Sequence, residues 1–515
     1  MKKILLPVAA LLLGVGSANA GANVFASALK ANDGSISFIL NDAAEKVVFN
    51  VVKDGAIVES VELGAGVKGL NTVDMPSLTV EPGTYQWSLT VSAPANAEPV
   101  QLTDGTDLNI QTSSARGIAV DASPASPAFG NVYTVTPAIT AQEGARVETG
   151  LYAFNAALQP INENAYTGGF TFSAQSSPNN VVVAENGQVF ICAWGDADGG
   201  VYVAEPDNLA VWQSVFAEGE RNDDGLVTID GTKIHGSVQD LAVYGSGDSR
   251  ILYTDDEDIN GGNGDIFLYK IGDLTSPWNT APSAEWGGNT TGNVANGNHR
   301  ISPDGHGGLW VSQYRWDESE AYPSLFHINA NGVWDFQTGD KSIFAGSAPV
   351  GAMAANVDGS LVAIADAAHG GGMVTVAKAT YDEDGMPTLE KLYEISATDY
   401  GNRPFDVAFD AVNNIYVVYN NAGELGGIAA WALPAEKNEF TTPANSNIEV
   451  ATSGIADAAV AEYTFEGGVL NAVSGASVYT VAGVKVAEGT TIDTNALAAG
   501  VYVVRTAKAA FKIVK

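Results

Sequence analysis

The sequence predicts an all-β chain in which a central six-bladed β-propeller, with seven blades as the alternative count, is flanked by two small β-sandwich domains. Three observations predict it. Apolar residues fill 46% of the 515 positions while charged ones fill 16%. The 57 glycines suit short strands joined by tight turns better than long charged helices. From about 114 to 445, one strand-turn-strand phrase recurs.

The chain opens with Lys2 and Lys3, an apolar run from Ile4 to Val15, and Ala18-Asn19-Ala20. That charged, apolar, small-residue order is a secretory signal over residues 1–20, with cleavage expected after Ala20. The run is shorter than the ~20 residues that span a bilayer, so the mature chain is not expected to be an integral membrane protein. The residue directly after the cleavage site is Gly21 and not Cys, so a lipoprotein anchor is not expected. The single cysteine, Cys192, stands in an apolar run and reads as a buried, inert thiol. A formal net charge of −35 makes nucleic acid and anionic membranes poor partners.

Residues 21–113 carry strand-like runs at Ser35 to Leu40 and Lys46 to Val52, a hairpin signal at Asp54-Gly55, and the phrase Pro82-Gly83-Thr84-Tyr85 launching a further strand. This order resembles the immunoglobulin-like domain of flagellar hook-capping proteins. The resemblance implies a spacer or adhesive platform without catalytic residues.

Residues 114–445 hold the repeat. Its copies begin at Arg116-Gly117-Ile118, Asn180-Val181-Val182, Gln239-Asp240-Leu241, His299-Arg300-Ile301, Ala354-Ala355-Asn356 and Arg403-Pro404-Phe405-Asp406-Val407. Setting Ile118, Val182, Leu241, Ile301, Ala355 and Val407 as equivalent gives a step of roughly 50–65 residues, a propeller repeat lengthened by loops. Sheets set radially cover one another's faces and leave only short edges, which one such sheet cannot do alone. The phrase resembles the NHL-type and gluconolactonase-type propeller families.

Residues 446–515 change character, since Glu449, Asp457, Glu462, Glu466, Glu488 and Asp493 are nearly balanced by Lys485, Arg505, Lys508, Lys512 and Lys515 in an otherwise acidic chain. The strand, glycine turn and strand of Val478 to Val486, then Leu497-Ala498-Ala499-Gly500-Val501-Tyr502-Val503-Val504-Arg505, then Phe511 to Lys515, closely resemble the C-terminal sorting domain of the type IX (Por) secretion system. That resemblance implies the type IX machinery as partner, and delivery to the extracellular space or the outer-membrane surface of a Gram-negative bacterium. The family's usual Tyr-Pro-Asn-Pro phrase is absent; Ala461-Glu462-Tyr463-Thr464-Phe465 stands near its place.

On the repeat, Arg116, Asn180, Gln239 and His299 align, with Asp240, Arg300 and Asp406 one step later and Arg403 slightly earlier. Such a ring predicts an axial polar pocket of locally positive potential for a carboxylate-bearing or hydroxyl-rich ligand such as a glycan. The alternative is a set of braces between blades. The histidines (His235, His299, His306, His327, His369) show no metal-binding spacing. Asp256-x-Asp258-x-Asn260-Gly261 reproduces the opening of a calcium loop, with Asp265 available in place of the missing twelfth-position Glu, so structural Ca2+ is a candidate cofactor. Trp278, Trp286, Tyr314, Trp316 and Tyr322 read as loop aromatics. No catalytic residue is assigned. The expected function is a secreted or surface-displayed, non-enzymatic binding protein. A lactonase- or lyase-like propeller enzyme and a protein-binding scaffold or adhesin are the alternatives.

Overall fold

The computed structural model describes residues 21–32, 34–107, 109–113, 115–137, 148–173, 177–261, 264–288, 299–313, 325–338, 351–365, 373–397, 403–421, 424–450, 463–506 and 510–515. The expected signal at 1–20, Tyr314, Trp316, Tyr322, His369 and the Ala461-Glu462 phrase lie outside them. The described chain is all-β, and no helix among the described residues is long and apolar enough to cross a membrane. Contacts divide it into two compact units, one of Met1–Asn50, Val61–Met75 and Ser88–Asn445, the other of Val51–Ser60, Pro76–Trp87 and Ser446–Lys515.

Six antiparallel sheets of the first unit form a β-propeller. Their first strands are Gly117–Val120, Asn180–Val183, Val238–Tyr244, His299–Pro303, Met353–Ala355 and Pro404–Phe409. Each of these inner strands neighbours the next, and the last neighbours the first, so the ring closes. Outward strands are apolar on both faces, as Val189–Ala193, Asp265–Tyr269 and Gly150–Phe154 show by being buried at every position. Adjacent sheets bury both faces together: Ala119, Tyr133 and Leu151 of the first pack with Val181, Val189 and Ile191 of the second. Without its neighbours no sheet could hide this surface.

The sixth sheet also takes strands from the chain before residue 114. Its outer edge is supplied by Val100–Gln101 and Gln111–Ser113, which pair with Glu424–Ala432. A ring of sheets leaves one seam, and chain from the other end of the repeat seals it. Glu439–Pro443 crosses the expected order in the opposite sense, pairing with Ser88–Ser92 of the strand Gly83–Ser92. The hairpin at Asp54-Gly55 is present as read. Both residues have positive φ, 51° and 77°, as a two-residue turn between twisted strands requires.

In the second unit, Tyr463–Glu466, Val469–Thr480, Lys485–Asp493, Val501–Thr506 and Ala510–Val514 make one five-stranded sheet. Period-two burial puts Leu470, Val478, Val504, Phe511 and Ile513 into a core of its own, with Tyr463 stacked on Phe511 at 4.2 Å. The long strand shifts register between Asn471 and Ala476, where Gly475 takes φ 81°.

Candidate functional site

A cavity of about 260 Å³ lies on the propeller axis. It runs from the first residues of the inner strands to the turns that follow them, where Glu185, Gly245, Gly305 and Val357 line it. Its walls include Val183, Val243, Ser302, Ala355 and Ala408, with Tyr244 and Phe409 also contributing, while its polar lining at the strand starts is Asn180, Asp240, Arg300 and Asp406.

These four polar residues form one layer because they occupy one register position on the second, third, fourth and sixth inner strands. Asp406 Oδ2 accepts the Ile118 backbone N–H at 2.8 Å, bracing the sixth sheet to the first, and Oδ1 accepts the Val407 N–H at 2.9 Å. Asp240 repeats the device, its Oδ2 accepting the Ile301 N–H at 2.7 Å from the fourth sheet. Asn180 donates to Asp240 Oδ1 and accepts the Val181 N–H at 2.7 Å. The first sheet contributes Gly117 here, where a Cβ would lie 2.3 Å from Asn180 Oδ1 and 2.8 Å from Asn180 Cα. Only glycine lets the two strands approach this closely.

The electrostatics follow from burial. Arg300 Nη1 lies 3.5 Å from Asp240 Oδ1, and both side chains are almost fully buried. Burial pulls the guanidinium's affinity for its proton down, but Asp240 and Asp406 outweigh it and hold Arg300 charged. Burial raises Asp240 above the ordinary carboxylate value against the pull of Arg300, and raises Asp406 to about 7. Two carboxylates therefore face one guanidinium. The Arg300 charge is thus matched within the layer by Asp240 and Asp406.

Arg116, Gln239 and His299 fall one register step away, Arg403 falls three residues before Asp406, and none of the four lines the cavity. In a strand, one step carries a side chain to the other face. Asn180 belongs with Asp240, Arg300 and Asp406, so the equivalent of Arg116, Gln239 and His299 is Asn179, which sequence reasoning missed. Arg116 Nη1 donates to Asn179 Oδ1 at 2.9 Å, and Asn179 donates to the Gln239 carbonyl. Phe405 carries Arg116 and Arg300 over its ring, at 5.9 and 5.5 Å. Arg403 stands immediately before the strand Pro404–Phe409.

His299 meets a residue the repeat did not mark. Its Nδ1 lies 3.0 Å from Asp255 Oδ1, and its backbone N–H donates to Oδ2 at 3.2 Å. Both residues are buried; burial raises the Asp255 carboxyl, with His299 pulling it back. Among the described residues, His299 Nε2 and Gln239 Oε1 are buried without a hydrogen-bond partner.

The calcium-like loop uses its carboxylates on backbone N–H groups of the loop and of the Gly236-Ser237 turn. Asp256 accepts the N–H groups of Gly236, Asp258 and Ile259 at 2.7, 3.0 and 3.2 Å. Asp258 accepts from Ser237 N at 2.7 Å, and Asn260 Nδ2 donates to Asp265 Oδ2 at 3.3 Å. Among the described residues no group of three or more His, Cys, Asp or Glu side chains is arranged to hold a metal ion. Trp286 and Trp278 are packing residues rather than loop displays: Trp286 packs on Tyr253 at 5.0 Å, and Trp278 meets Tyr269 edge-on at 6.2 Å. Cys192 is buried, and burial pushes its thiol far above the ordinary value.

No family model and no curated protein matches the sequence. Among solved structures, the chain is similar to a gluconolactonase from Xanthomonas campestris, with 12% identity over 67% of this chain and 90% of that one and a TM-score of 0.34. It is also similar to the hydrazine synthase of Kuenenia stuttgartiensis, with 8% identity, 68% and 92% coverage and a TM-score of 0.37. A chain of the mitotic checkpoint complex matches with 13% identity, 70% and 98% coverage and a TM-score of 0.33.

Proposed function

We propose that this chain is an exported, non-enzymatic binding protein whose propeller takes one small, hydroxyl-rich unit, such as the terminal sugar of a glycan, into the axial cavity. The observation that carries this reading is the division of labour there. The acids that could act as catalysts, Asp240 and Asp406, already accept neighbouring backbone N–H groups and face Arg300, whereas the cavity is walled by small side chains with Tyr244 and Phe409 among them. At about 260 Å³ it is near the lower end of the ~300–1,000 Å³ usual for ligand pockets, which suits a single ring and not an extended chain. A glycan array probed with the protein, with and without calcium, tests the proposal. Ala355→Trp fills the cavity and should abolish the signal; undiminished binding by a folded Ala355→Trp protein would overturn the axial site.

A catalytic reading is favoured by one observation, the Asp255–His299 pair, in which the carboxylate orients an imidazole whose Nε2 is unengaged. That is how a general base is held. Hydrolysis of a panel of lactones and esters that disappears in His299→Gln would establish it; no turnover of any member would reject it.

The segment of residues 446–515 serves, in this proposal, as the sorting module for the type IX machinery. Its separate core and its near-balance of charge support the reading. A chain lacking residues 453–515 should accumulate in the periplasm. Unchanged delivery to the cell surface would rule the role out.

A further inference from the structure

Residues 21–25 make no strand, yet Ala22 to Phe25 are buried, each 3% exposed or less. Buried backbone without a ladder must find its hydrogen bonds elsewhere. Here side chains from separate parts of the chain supply them. Asn96 Nδ2 donates to the Gly21 carbonyl at 2.6 Å, and Asn438 Nδ2 to the Ala22 carbonyl at 3.0 Å. Asn414 makes a reciprocal pair with Asn23, accepting its N–H at 2.9 Å and donating to its carbonyl at 2.8 Å. Asn438 Oδ1 accepts the Val24 N–H at 2.7 Å, and Asn41 Oδ1 the Phe25 N–H at 2.8 Å. Asn23 returns the favour, its amide donating to the carbonyls of Val412 and Leu433 at 3.1 Å each.

One member of this clamp is charged. Asp42 Oδ2 accepts the Ala22 N–H at 2.9 Å, and a Cβ on Gly21 would lie 3.2 Å from the same oxygen. Gly21 thus stands against a carboxylate, at the residue where the sequence places the new terminus after Ala20.

We propose that cleavage between Ala20 and Gly21 creates an α-ammonium that pairs with Asp42, so that removal of the leader adds the last contact of the clamp and locks the N-terminus into the folded propeller unit. The peptide bond is hydrolysed by a leader-removing protease: water supplies its oxygen to the Ala20 carboxylate and its two protons to the Gly21 nitrogen, which becomes the α-ammonium. An uncleaved or extended chain keeps a neutral amide at Gly21 and cannot form the pair. The proposal rests on reading residues 1–20 as a leader, and its tests separate the two ideas.

Mass spectrometry of the exported protein should place its terminus at Gly21; another terminus would sink the leader reading and the proposal with it. The pairing is tested on chains produced to begin at Gly21 by cleavage of a fusion. A neighbouring carboxylate favours the ammonium form, so acylation of the α-amine at neutral pH should run about 3–10-fold slower than in Asp42→Asn. A mature-length chain should also melt above one carrying a short N-terminal extension, and Asp42→Asn should remove that difference while leaving the extended chain nearly unchanged. Equal acylation rates with and without Asp42, or an equal loss of melting temperature in both chain lengths, would overturn the pairing, because Asp42 would then be acting only as acceptor for Ala22.

Discussion

The propeller unit contains two buried polar networks that solve the same problem with different chemistry. On the axis, Asp240, Arg300 and Asp406 hold neighbouring inner strands together with ionisable groups. Around residues 21–25, the amides of Asn41, Asn96, Asn414 and Asn438 do the holding. A neutral amide both donates and accepts at fixed strength, so these amide contacts tolerate burial at any ordinary pH, with Asp42 as the clamp's charged member. The axial layer confines three charges whose stability depends on their being matched. Its cost is visible in Asp406, raised to about 7. The contrast suggests that charge is kept where a cavity adjoins it, and amides where only backbone needs a partner.

Breaking the axial layer should have the largest effect. Asp240→Ala strands a buried guanidinium and removes the acceptor of the Ile301 N–H, and should cost about 3–5 kcal/mol in chemical denaturation. A loss below about 1 kcal/mol would mean that the layer is hydrated and the contrast with the clamp false. Asn438→Ala deprives the Ala22 carbonyl and the Val24 N–H of their side-chain partner and should cost about 2–3 kcal/mol, with the same value at pH 5 and pH 8. A loss that varies with pH would contradict the claim that these amide contacts are charge-independent.

Gly117→Ala tests how tightly the ring is drawn. The added methyl meets the Asn180 backbone, and about 1–3 kcal/mol should be lost as the first two inner strands part. The smallest effect is one of slope. Because Asp406 titrates at about 7 in the fold against 3.8 ordinarily, the folded state holds a proton that the unfolded chain has released. The stabilisation is complete below about 3.8 and is lost as pH rises through about 7. Melting temperatures across that window should fall less steeply in Asp406→Asn than in the parent; parallel curves would show that another group governs the trend. Asp121 and Asp256, also raised to about 7 by burial, add slope of the same sign.

Repetition made the propeller legible in the chain. Six phrases of strand, acidic or glycine turn and strand cannot each bury two faces alone, so the ring follows from hydrophobicity and spacing together. The hairpin at Asp54-Gly55 was legible for a similar reason, as few residue pairs accept positive φ. The polar layer was half legible. Asp240, Arg300 and Asp406 were marked by their place in the phrase, but Asn180 was set one step off and Asn179 was overlooked, because two adjacent asparagines offer no hydrophobic contrast to fix the register.

Asp255 and Phe405 lay beyond reach of the sequence, since each meets its partner across a sheet boundary that no local pattern records. A count of charges along the chain also does not show which acids fold against an arginine, as Asp240 and Asp406 do against Arg300. The chain by itself therefore determined its all-β class and its repeating core, since these depend on the order of apolar and turn residues along the strand. Tertiary structure alone decided the seal of the sixth sheet by residues 100–113, the charge balance on the axis and the amide clamp. Those depend on which distant groups are brought within hydrogen-bond distance, and that is set by closure of the ring.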